Sequence, residues 1–209
     1  MLKGNESFEC TGFKHVADRD IYCVKRTGHG WLNVQESLMQ SCNVCLMDMA
    51  AMIGVDRFTK YQAIFGFGDK TGIDLPGEAD TSGLVYHADN MGPTELATSS
   101  FGQGFNCTMV QMAAAYCSVI NGGAYDEPHV VKQILNEQGS VVERKEPVLV
   151  RETVSQSTAN FLKQTMFETV ENGTGGAAAV AGYEVGGKTG TAERLPRKDK
   201  NYLVSFAGF

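Results

Sequence analysis

The residues best suited to do chemistry form two short motifs that lie far apart in this 209-residue chain. Lys188-Thr189-Gly190-Thr191 combines a cation, two hydroxyls and a glycine without a Cβ, so an extended peptide can lie against it. Ser41-Cys42-Asn43 adds a further hydroxyl and an amide. A Lys-Thr-Gly stretch downstream of Ser-x-Asn is typical of serine acyl-transfer sites, so the pair indicates acyl transfer.

The third motif of such a site is Ser-x-x-Lys, which carries the acylated serine, and it does not occur in the sequence. No serine is followed three positions later by a lysine. Ser-x-Asn alone is a weak signal because Ser and Asn also cap helices, and an apolar helix is expected after Asn43. Lys-Thr-Gly-Thr is rarer, and its alternative interpretation is a charged strand end that leads into a turn. The sequence therefore supplies two motifs of the site and no nucleophile.

The elements that must position these motifs alternate between helices and hairpins. Asn33, with Glu36 three residues later, forms a capping-box pattern that opens a short helix, and Ser41-Cys42-Asn43 interrupts it. Predicted helices cover residues 44–53, 56–65, 109–120 and 155–172. Predicted hairpins join residues 8–15 with 20–26, residues 130–135 with 141–145, and residues 183–193 with 202–209. The pattern indicates an α/β protein with mostly antiparallel strands.

The third of these helices carries an apolar stripe at i, i+3, i+4 spacing, which is typical of a buried face. Its members are Met109, Met112, Ala113, Tyr116, Val119 and Ile120. We expect this methionine-rich stripe to pack in the core rather than to form a cofactor site.

Composition narrows the class of protein. The chain is 43% hydrophobic and 20% charged, as in globular domains. Its formal net charge of -6, without a dense basic run, makes nucleic acid an unsuitable partner. The apolar runs fall short of a membrane span, and no signal peptide opens the sequence.

Five further segments carry a resemblance to a known family. They are Gly28–Asn43, Phe65–Gly68, Thr71–Glu78, Ser100–Gly104 and Asn121–Gly123. In type and order these segments resemble the transpeptidase domain of class B, high-molecular-weight penicillin-binding proteins, from about Phe8 to Phe209. The Gly-Ile-Asp-Leu-Pro-Gly-Glu stretch favours this group over low-molecular-weight carboxypeptidases and β-lactamases.

The resemblance implies a fold of the α+β type, in which helices flank a five-stranded antiparallel sheet. Against that fold the chain is expected to be one partial domain, incomplete at both ends. Residues 1–32 would form a hairpin region, residues 33–182 a mainly helical part, and residues 183–209 the active-site hairpin of the central sheet. The helix with the nucleophile and the remaining strands would come from an upstream segment of the same protein.

The resemblance also implies an activity. A serine D,D-transpeptidase would cross-link peptidoglycan by acyl transfer from D-Ala-D-Ala stem peptides, and β-lactams would trap it, without a cofactor for catalysis. The parent protein would be held on the outer face of the cytoplasmic membrane by an N-terminal helix absent from this sequence. A D,D-carboxypeptidase, or a non-catalytic β-lactam sensor or degenerate scaffold, are the alternatives. Without its nucleophile this chain alone is expected to be inactive.

By resemblance, each motif residue has a role. Ser41 would relay a proton near the departing amine, and Asn43 would hydrogen-bond the upstream catalytic lysine and the substrate backbone. Lys188 would supply fixed positive charge that tunes Ser41 and attracts the terminal carboxylate. Thr189–Thr191 would bind the substrate, the two threonine hydroxyls holding its carboxylate and the backbone N–H of Thr191 serving as one oxyanion donor.

The cysteines raise the question of a metal. Cys10 and Cys23 are expected to face each other across the first hairpin, as a disulfide, as two free thiols or as zinc ligands. A structural zinc would need more ligands, and His29 is the best candidate. Some clostridial members of the family bind zinc near this region, which adds support for the metal and leaves the disulfide and the free thiols open. Cys42 and Cys45, three residues apart, have a spacing that resembles a metal pair, but we expect them to pack in a helix.

Overall fold

A computed structural model describes residues 4–209 of the chain. These residues form two compact units. The first unit combines the residues up to Lys60 with Tyr86–Phe105 and Phe161–Phe209, and the second unit combines Tyr61–Val85 with Asn106–Asn160. The Ser41 and Lys188 motifs both belong to the first unit.

The α-helices are α1 (Val34–Met39), α2 (Asn43–Ile53), α3 (Val55–Ile64), α4 (Pro93–Ser100), α5 (Met109–Ile120) and α6 (Gln156–Asn172). The strands are β1 (Ser7–Cys10), β2 (Phe13–Val16), β3 (Arg19–Tyr22), β4 (Gly30–Asn33), β5 (Ala124–Asp126), β6 (Gln133–Leu135), β7 (Val141–Arg144), β8 (Leu149–Glu152), β9 (Gly187–Glu193) and β10 (Tyr202–Gly208). Within residues 4–209 the strands pair antiparallel as the ribbons β1–β4, β2–β3, β5–β8, β6–β7 and β9–β10. The predicted α/β class with antiparallel strands is confirmed.

The first predicted hairpin is partly wrong. Strands β2 and β3 do pair around a turn, in which Ala17 adopts φ 53°. Strand β1, however, pairs with β4, which the sequence pattern did not predict. Gly12 separates β1 from β2: it adopts φ 102°, and a Cβ at this position would collide with the carbonyl oxygen of Arg26. The chain therefore leaves the strand at Gly12 instead of continuing through the hairpin.

The local signals for the helices around the first motif are confirmed. The Asn33 side chain accepts from the backbone N–H of Glu36, and the Glu36 carboxylate accepts from the backbone N–H of Asn33, at 2.8 and 2.9 Å. Helix α2 ends at Gly54, which has φ 79°. The core of the first unit forms around α2 and consists of Phe8, Cys10, Cys23, Val34, Cys42, Val44, Cys45, Met47, Met49 and Ala97. Cysteine thus fills much of the core beside the Ser41 motif.

The last hairpin sets Lys188 opposite Ala207 and Gly190 opposite Ser205. A Cβ at Gly190 would lie 2.6 Å from the Ser205 hydroxyl oxygen, so a larger residue here would require the Ser205 side chain to rotate. Strand β10 leaves several apolar side chains exposed, namely Tyr202, Leu203, Val204 and Phe206. Nowhere in residues 4–209 is there a helix with the length and apolar character needed to cross a membrane.

The second unit contradicts the prediction of a buried methionine stripe on α5. Met109 is 90% exposed and Met112 is 42% exposed, whereas the buried residues of this helix are Gln111, Ala115 and Ser118. The most deeply buried side of α5 is therefore the one with Gln111 and Ser118, while Tyr116, Val119 and Ile120 of the predicted stripe are half-buried. The reason lies in the long-range hydrogen bonds of Gln111, which a periodicity pattern cannot reveal.

Gln111 is fully buried and joins three segments of the second unit. Its side-chain oxygen accepts from the backbone N–H of Thr108 at 2.8 Å, which completes a capping box at the start of α5. Its amide nitrogen donates to the Thr81 hydroxyl at 2.8 Å and to the carbonyl of Asp69. Because each of these groups would be unpaired without Gln111, the side chain is a structural hub.

We expect Gln111→Met to lower the free energy of unfolding by about 2–4 kcal/mol, because methionine fills the space but satisfies none of the three partners. Urea unfolding followed by circular dichroism measures the change. Met109→Gln, on the same helix but exposed, is the matched control and should leave the midpoint unchanged. Equal midpoints for Gln111→Met and the parent chain would show that the hub contributes nothing.

Candidate active site

Lys188 and Ser41, which are 147 positions apart in the sequence, are in direct contact. The Lys188 ammonium on β9 donates to the Ser41 hydroxyl oxygen at 2.7 Å and to the carbonyl of Thr189 at 3.0 Å. The lysine side chain is half-buried, and this burial lowers the pKa of its ammonium group. The contact places the positive charge of Lys188 next to the oxygen of Ser41, which accepts this hydrogen bond, so the serine proton is free to be donated elsewhere.

The turn that carries Ser41 is tightly wound. The backbone N–H of Ser41 donates to the carbonyl oxygen of Leu38 at 3.1 Å, and that of Cys42 donates to the carbonyl oxygen of Ser37 at 3.0 Å. Ser41 itself adopts φ 51°, in the left-handed region that non-glycine residues rarely occupy. This conformation separates α1 from α2 and places the serine hydroxyl at Lys188.

Asn43 is the first residue of α2, two positions after Ser41. Its side-chain amide donates to the carbonyl of Tyr22, at the end of β3, at 3.0 Å. This hydrogen bond ties the start of α2 to the β2–β3 ribbon and fixes the orientation of the amide. The side-chain oxygen of Asn43 is then directed away from that carbonyl.

Thr189, Gly190 and Thr191 follow Lys188 along β9. Because side chains alternate along a strand, the two threonines project from the same face. Thr191 is exposed, and the Thr189 hydroxyl lies 3.3 Å from the hydroxyl of Thr174. The structure therefore brings all the candidate site residues of both motifs into the first unit, with Ser41 and Lys188 in contact.

A cluster of thiols lies directly beside this site, and we call it the cysteine cluster: Cys10, Cys23, His29 and Cys42. One potential ligand atom from each residue lies within 4.8 Å of the others. The Sγ atom of Cys23 is 3.6 Å from Nδ1 of His29 and 3.8 Å from Sγ of Cys42. The three cysteines are at most 1% exposed.

The prediction for these residues needs two corrections. Cys10 and Cys23 do not face each other across one hairpin, because Cys10 ends β1 while Cys23 follows β3 and donates its N–H to Gly12. They meet in the core instead. Cys42, expected to be simple helix packing, is a member of the cluster; the Cys-x-x-Cys spacing with Cys45 was the available signal.

Hydrogen bonding and burial favour the neutral form of the Cys23 thiol. A hydrogen bond with Cys42, together with burial, raises the pKa of the Cys23 thiol to about 12. Since Cys42 immediately follows Ser41, any group bound by the cluster would be one residue away from the Ser41–Lys188 contact.

Comparison with known proteins identifies the family. The family model of the penicillin binding protein transpeptidase domain matches residues 1–209. Stage V sporulation protein D of Bacillus subtilis is 35% identical over 208 residues, covering 98% of this chain and 32% of the relative. Peptidoglycan D,D-transpeptidase MrdA of Acinetobacter baumannii is 29% identical over 178 residues, covering 81% of this chain and 26% of the relative.

A solved structure agrees. The crystal structure of penicillin binding protein 3 from Mycobacterium tuberculosis, complexed with aztreonam, has a TM-score of 0.84 and 27% sequence identity. The match covers 99% of this chain and 48% of that one. This chain thus spans about a third or less of the curated relatives and about half of the solved structure. Since the family model covers every residue, the chain belongs to the penicillin-binding protein transpeptidase domain family.

Proposed function

We propose that this chain is part of a peptidoglycan D,D-transpeptidase that transfers the acyl group of D-Ala-D-Ala stem peptides during cell-wall cross-linking. The parent protein would work on the outer face of the bacterial cytoplasmic membrane and would be acylated by β-lactams. The observation that carries the proposal is the 2.7 Å contact between the Lys188 ammonium and the Ser41 hydroxyl. It joins the two acyl-transfer motifs in one place.

The contact suits a proton relay at the departing amine. The Ser41 oxygen accepts from Lys188, so its own proton is available to the amine nitrogen as the peptide bond breaks. The positive charge of Lys188 stabilises the serine oxygen during that transfer. Asn43, held by its hydrogen bond to Tyr22, offers its amide oxygen to a donor such as the substrate backbone or a catalytic lysine.

Carboxylate and oxyanion recognition would fall to β9. The hydroxyls of Thr189 and Thr191 share a face and would bind the terminal carboxylate, with the charge of Lys188 nearby. The backbone N–H of Thr191 would be one donor to the tetrahedral oxyanion. Gly190 lets the substrate backbone lie against the strand, as in strand addition.

The nucleophile would come from a segment of the same protein outside these 209 residues. Two observations support this: none of the serines is followed by Lys at the third position, and β10 exposes apolar side chains beside the site. Leu203 is 60% exposed and Val204 is 74% exposed. A two-stranded ribbon with such an apolar surface is stable only when further strands or helices cover it.

Mass spectrometry after incubation with benzylpenicillin tests the proposal. We expect no adduct on the 209-residue chain and one adduct on the same protein carried upstream as far as its Ser-x-x-Lys segment, here called the extended chain. An adduct on the 209-residue chain would overturn the assignment of the nucleophile. No adduct on either would favour a non-catalytic sensor or scaffold. With a D-Ala-D-Ala stem peptide in place of benzylpenicillin, release of D-Ala without transfer to an acceptor amine would favour a D,D-carboxypeptidase.

We also propose that the cysteine cluster holds a structural zinc ion, while catalysis itself needs no cofactor. Three thiolates and one imidazole form a common tetrahedral set. Zn–S bonds of about 2.3 Å place two tetrahedral sulfur ligands about 3.8 Å apart, and a sulfur and a nitrogen ligand about 3.6 Å apart. The corresponding distances from Cys23 to Cys42 and to His29 are 3.8 and 3.6 Å.

The bound ion would stabilise the fold and leave the acyl-transfer chemistry to the motif residues. It would connect β1, the end of β3, the loop with His29 and the turn with Cys42 in one small core. With four protein ligands it would have no open position for a water or substrate, as is usual for structural sites.

A further inference from the structure

The turn that follows α6 is pressed against the end of α1, close to Ser41. The backbone N–H of Thr174 donates to the carbonyl of Met39 at 3.2 Å. A Cβ on the preceding residue, Gly173, would lie 2.8 Å from that same carbonyl oxygen. Only a glycine therefore permits this approach, and it delivers Thr174 to a position between the Ser41 turn and β9.

The hydroxyl of Thr174 has two neighbours and one proton. It lies 3.1 Å from the carbonyl oxygen of Met39 and 3.3 Å from the hydroxyl oxygen of Thr189. A carbonyl can only accept a hydrogen bond, whereas a hydroxyl can donate one and accept others. The direction of the Thr174–Thr189 hydrogen bond is therefore set by where Thr174 sends its proton.

The two directions have different consequences for a ligand. If Thr174 donates to Met39, Thr189 must donate to Thr174, and Thr189 has no proton left for a carboxylate. If Thr174 donates to Thr189, the proton of Thr189 is released for a carboxylate. The carbonyl of Met39 loses little in that second arrangement, since it keeps the backbone N–H of Thr174. Rotation of the Thr174 hydroxyl thus changes Thr189 from a donor to Thr174 into a donor to the carboxylate.

We propose that Thr174 is a positioning residue for carboxylate recognition: it holds the Thr189 side chain in place and, by donating to the Thr189 oxygen, directs the Thr189 proton toward the terminal carboxylate of the ligand. The inference rests on the proposed function, and it adds a residue that belongs to neither motif. Thr174 is exposed, so removal of its hydroxyl leaves no cavity that would disturb the core.

The test compares the acylation rate constants of the extended chain with benzylpenicillin and with its methyl ester, which lacks the negative charge. Thr174→Val should lower the rate with the free carboxylate by about 3- to 10-fold, the worth of one hydrogen bond, since Thr189 loses its donor and its fixed orientation. With the methyl ester, the Thr174→Val variant should react as fast as the parent extended chain does with the same ester. Thr174→Ser, which keeps the hydroxyl, should restore the rate with benzylpenicillin.

A double-mutant cycle with Thr189→Val decides whether Thr174 acts through Thr189. Adding Thr174→Val to Thr189→Val should cause no further loss. An undiminished loss in that background, an equal loss with the ester, or no loss at all would overturn the inference while leaving the proposed function in place. If the parent extended chain reacts with neither ligand, the proposed function itself fails, and the inference fails with it.

Discussion

Replacing Lys188 by methionine in the extended chain is expected to lower the rate of acylation by benzylpenicillin by about 10²- to 10⁴-fold, the usual effect of removing a group that assists proton transfer. The physical reason is the 2.7 Å contact: without the ammonium group, Ser41 loses the charge that stabilises its oxygen as it gives up a proton. Methionine has a similar length, so the loss reports charge rather than packing. Stopped-flow measurement of acylation gives the rate.

Lys132→Met is the matched control for this prediction. Lys132 is an exposed lysine next to β6 in the second unit, and its replacement should leave acylation unchanged. The pH profile gives a further check. Burial lowers the pKa of Lys188, so its charge, and with it the rate, should be lost at a lower pH than for a free lysine as the pH rises. An acylation rate for Lys188→Met equal to that of the control would contradict the proposed role.

Removal of zinc from the cysteine cluster is expected to have the largest effect on stability. Because free energy of binding at a structural site is also free energy of folding, a strong chelator should lower the melting temperature markedly or unfold the first unit. Elemental analysis of the purified protein should find about one zinc ion per chain. Cys42→Ser should abolish this zinc and lower the melting temperature to that of the chelated protein.

Cys117→Ser offers the control, since Cys117 is exposed on α5 and lies outside the cluster. It should leave both zinc content and melting temperature unchanged. The alternatives make different predictions. A disulfide would make the intact protein about two mass units lighter until it is reduced, whereas free thiols would leave the mass unchanged by a reductant and would all react with an alkylating reagent once the protein is unfolded. Either result in a protein that lacks zinc would show that the cluster is not a metal site.

Local sequence signals predicted much of the fold. The capping box at Asn33 depends on residues only three positions apart, so a short pattern contains all the information needed for that helix start. The strand partners of β1 and β5 lie much further along the chain, at β4 and β8, and were not predicted. The prediction of which face of α5 is buried was wrong for the same reason, because the partners of Gln111 lie in a distant loop.

The candidate site likewise contains residues that the sequence predicted and residues that only the structure reveals. Resemblance to the family placed Ser41 and Lys188 together although they are far apart in sequence, since the two motifs are recognisable by themselves. Neither Cys42 nor Thr174 was predicted to belong to a site, because the spacing of Cys42 and Cys45 does not show which residues Cys42 meets and Thr174 lies in no motif. Their importance follows only from neighbours brought close by folding: Cys23 and His29 in one case, Met39 and Thr189 in the other.

At Ser41 the stability of the fold and the proposed activity require different residues, because the backbone is in the left-handed region. A side chain other than glycine costs about 1–2 kcal/mol in this region, so glycine would suit the backbone of the turn better than serine does. Glycine would also remove the hydroxyl that Lys188 holds. An evolutionary drift toward higher stability at this position would therefore yield a protein that folds well, keeps its cysteine cluster and lacks the hydroxyl proposed to relay a proton, a loss that no measurement of folding would detect.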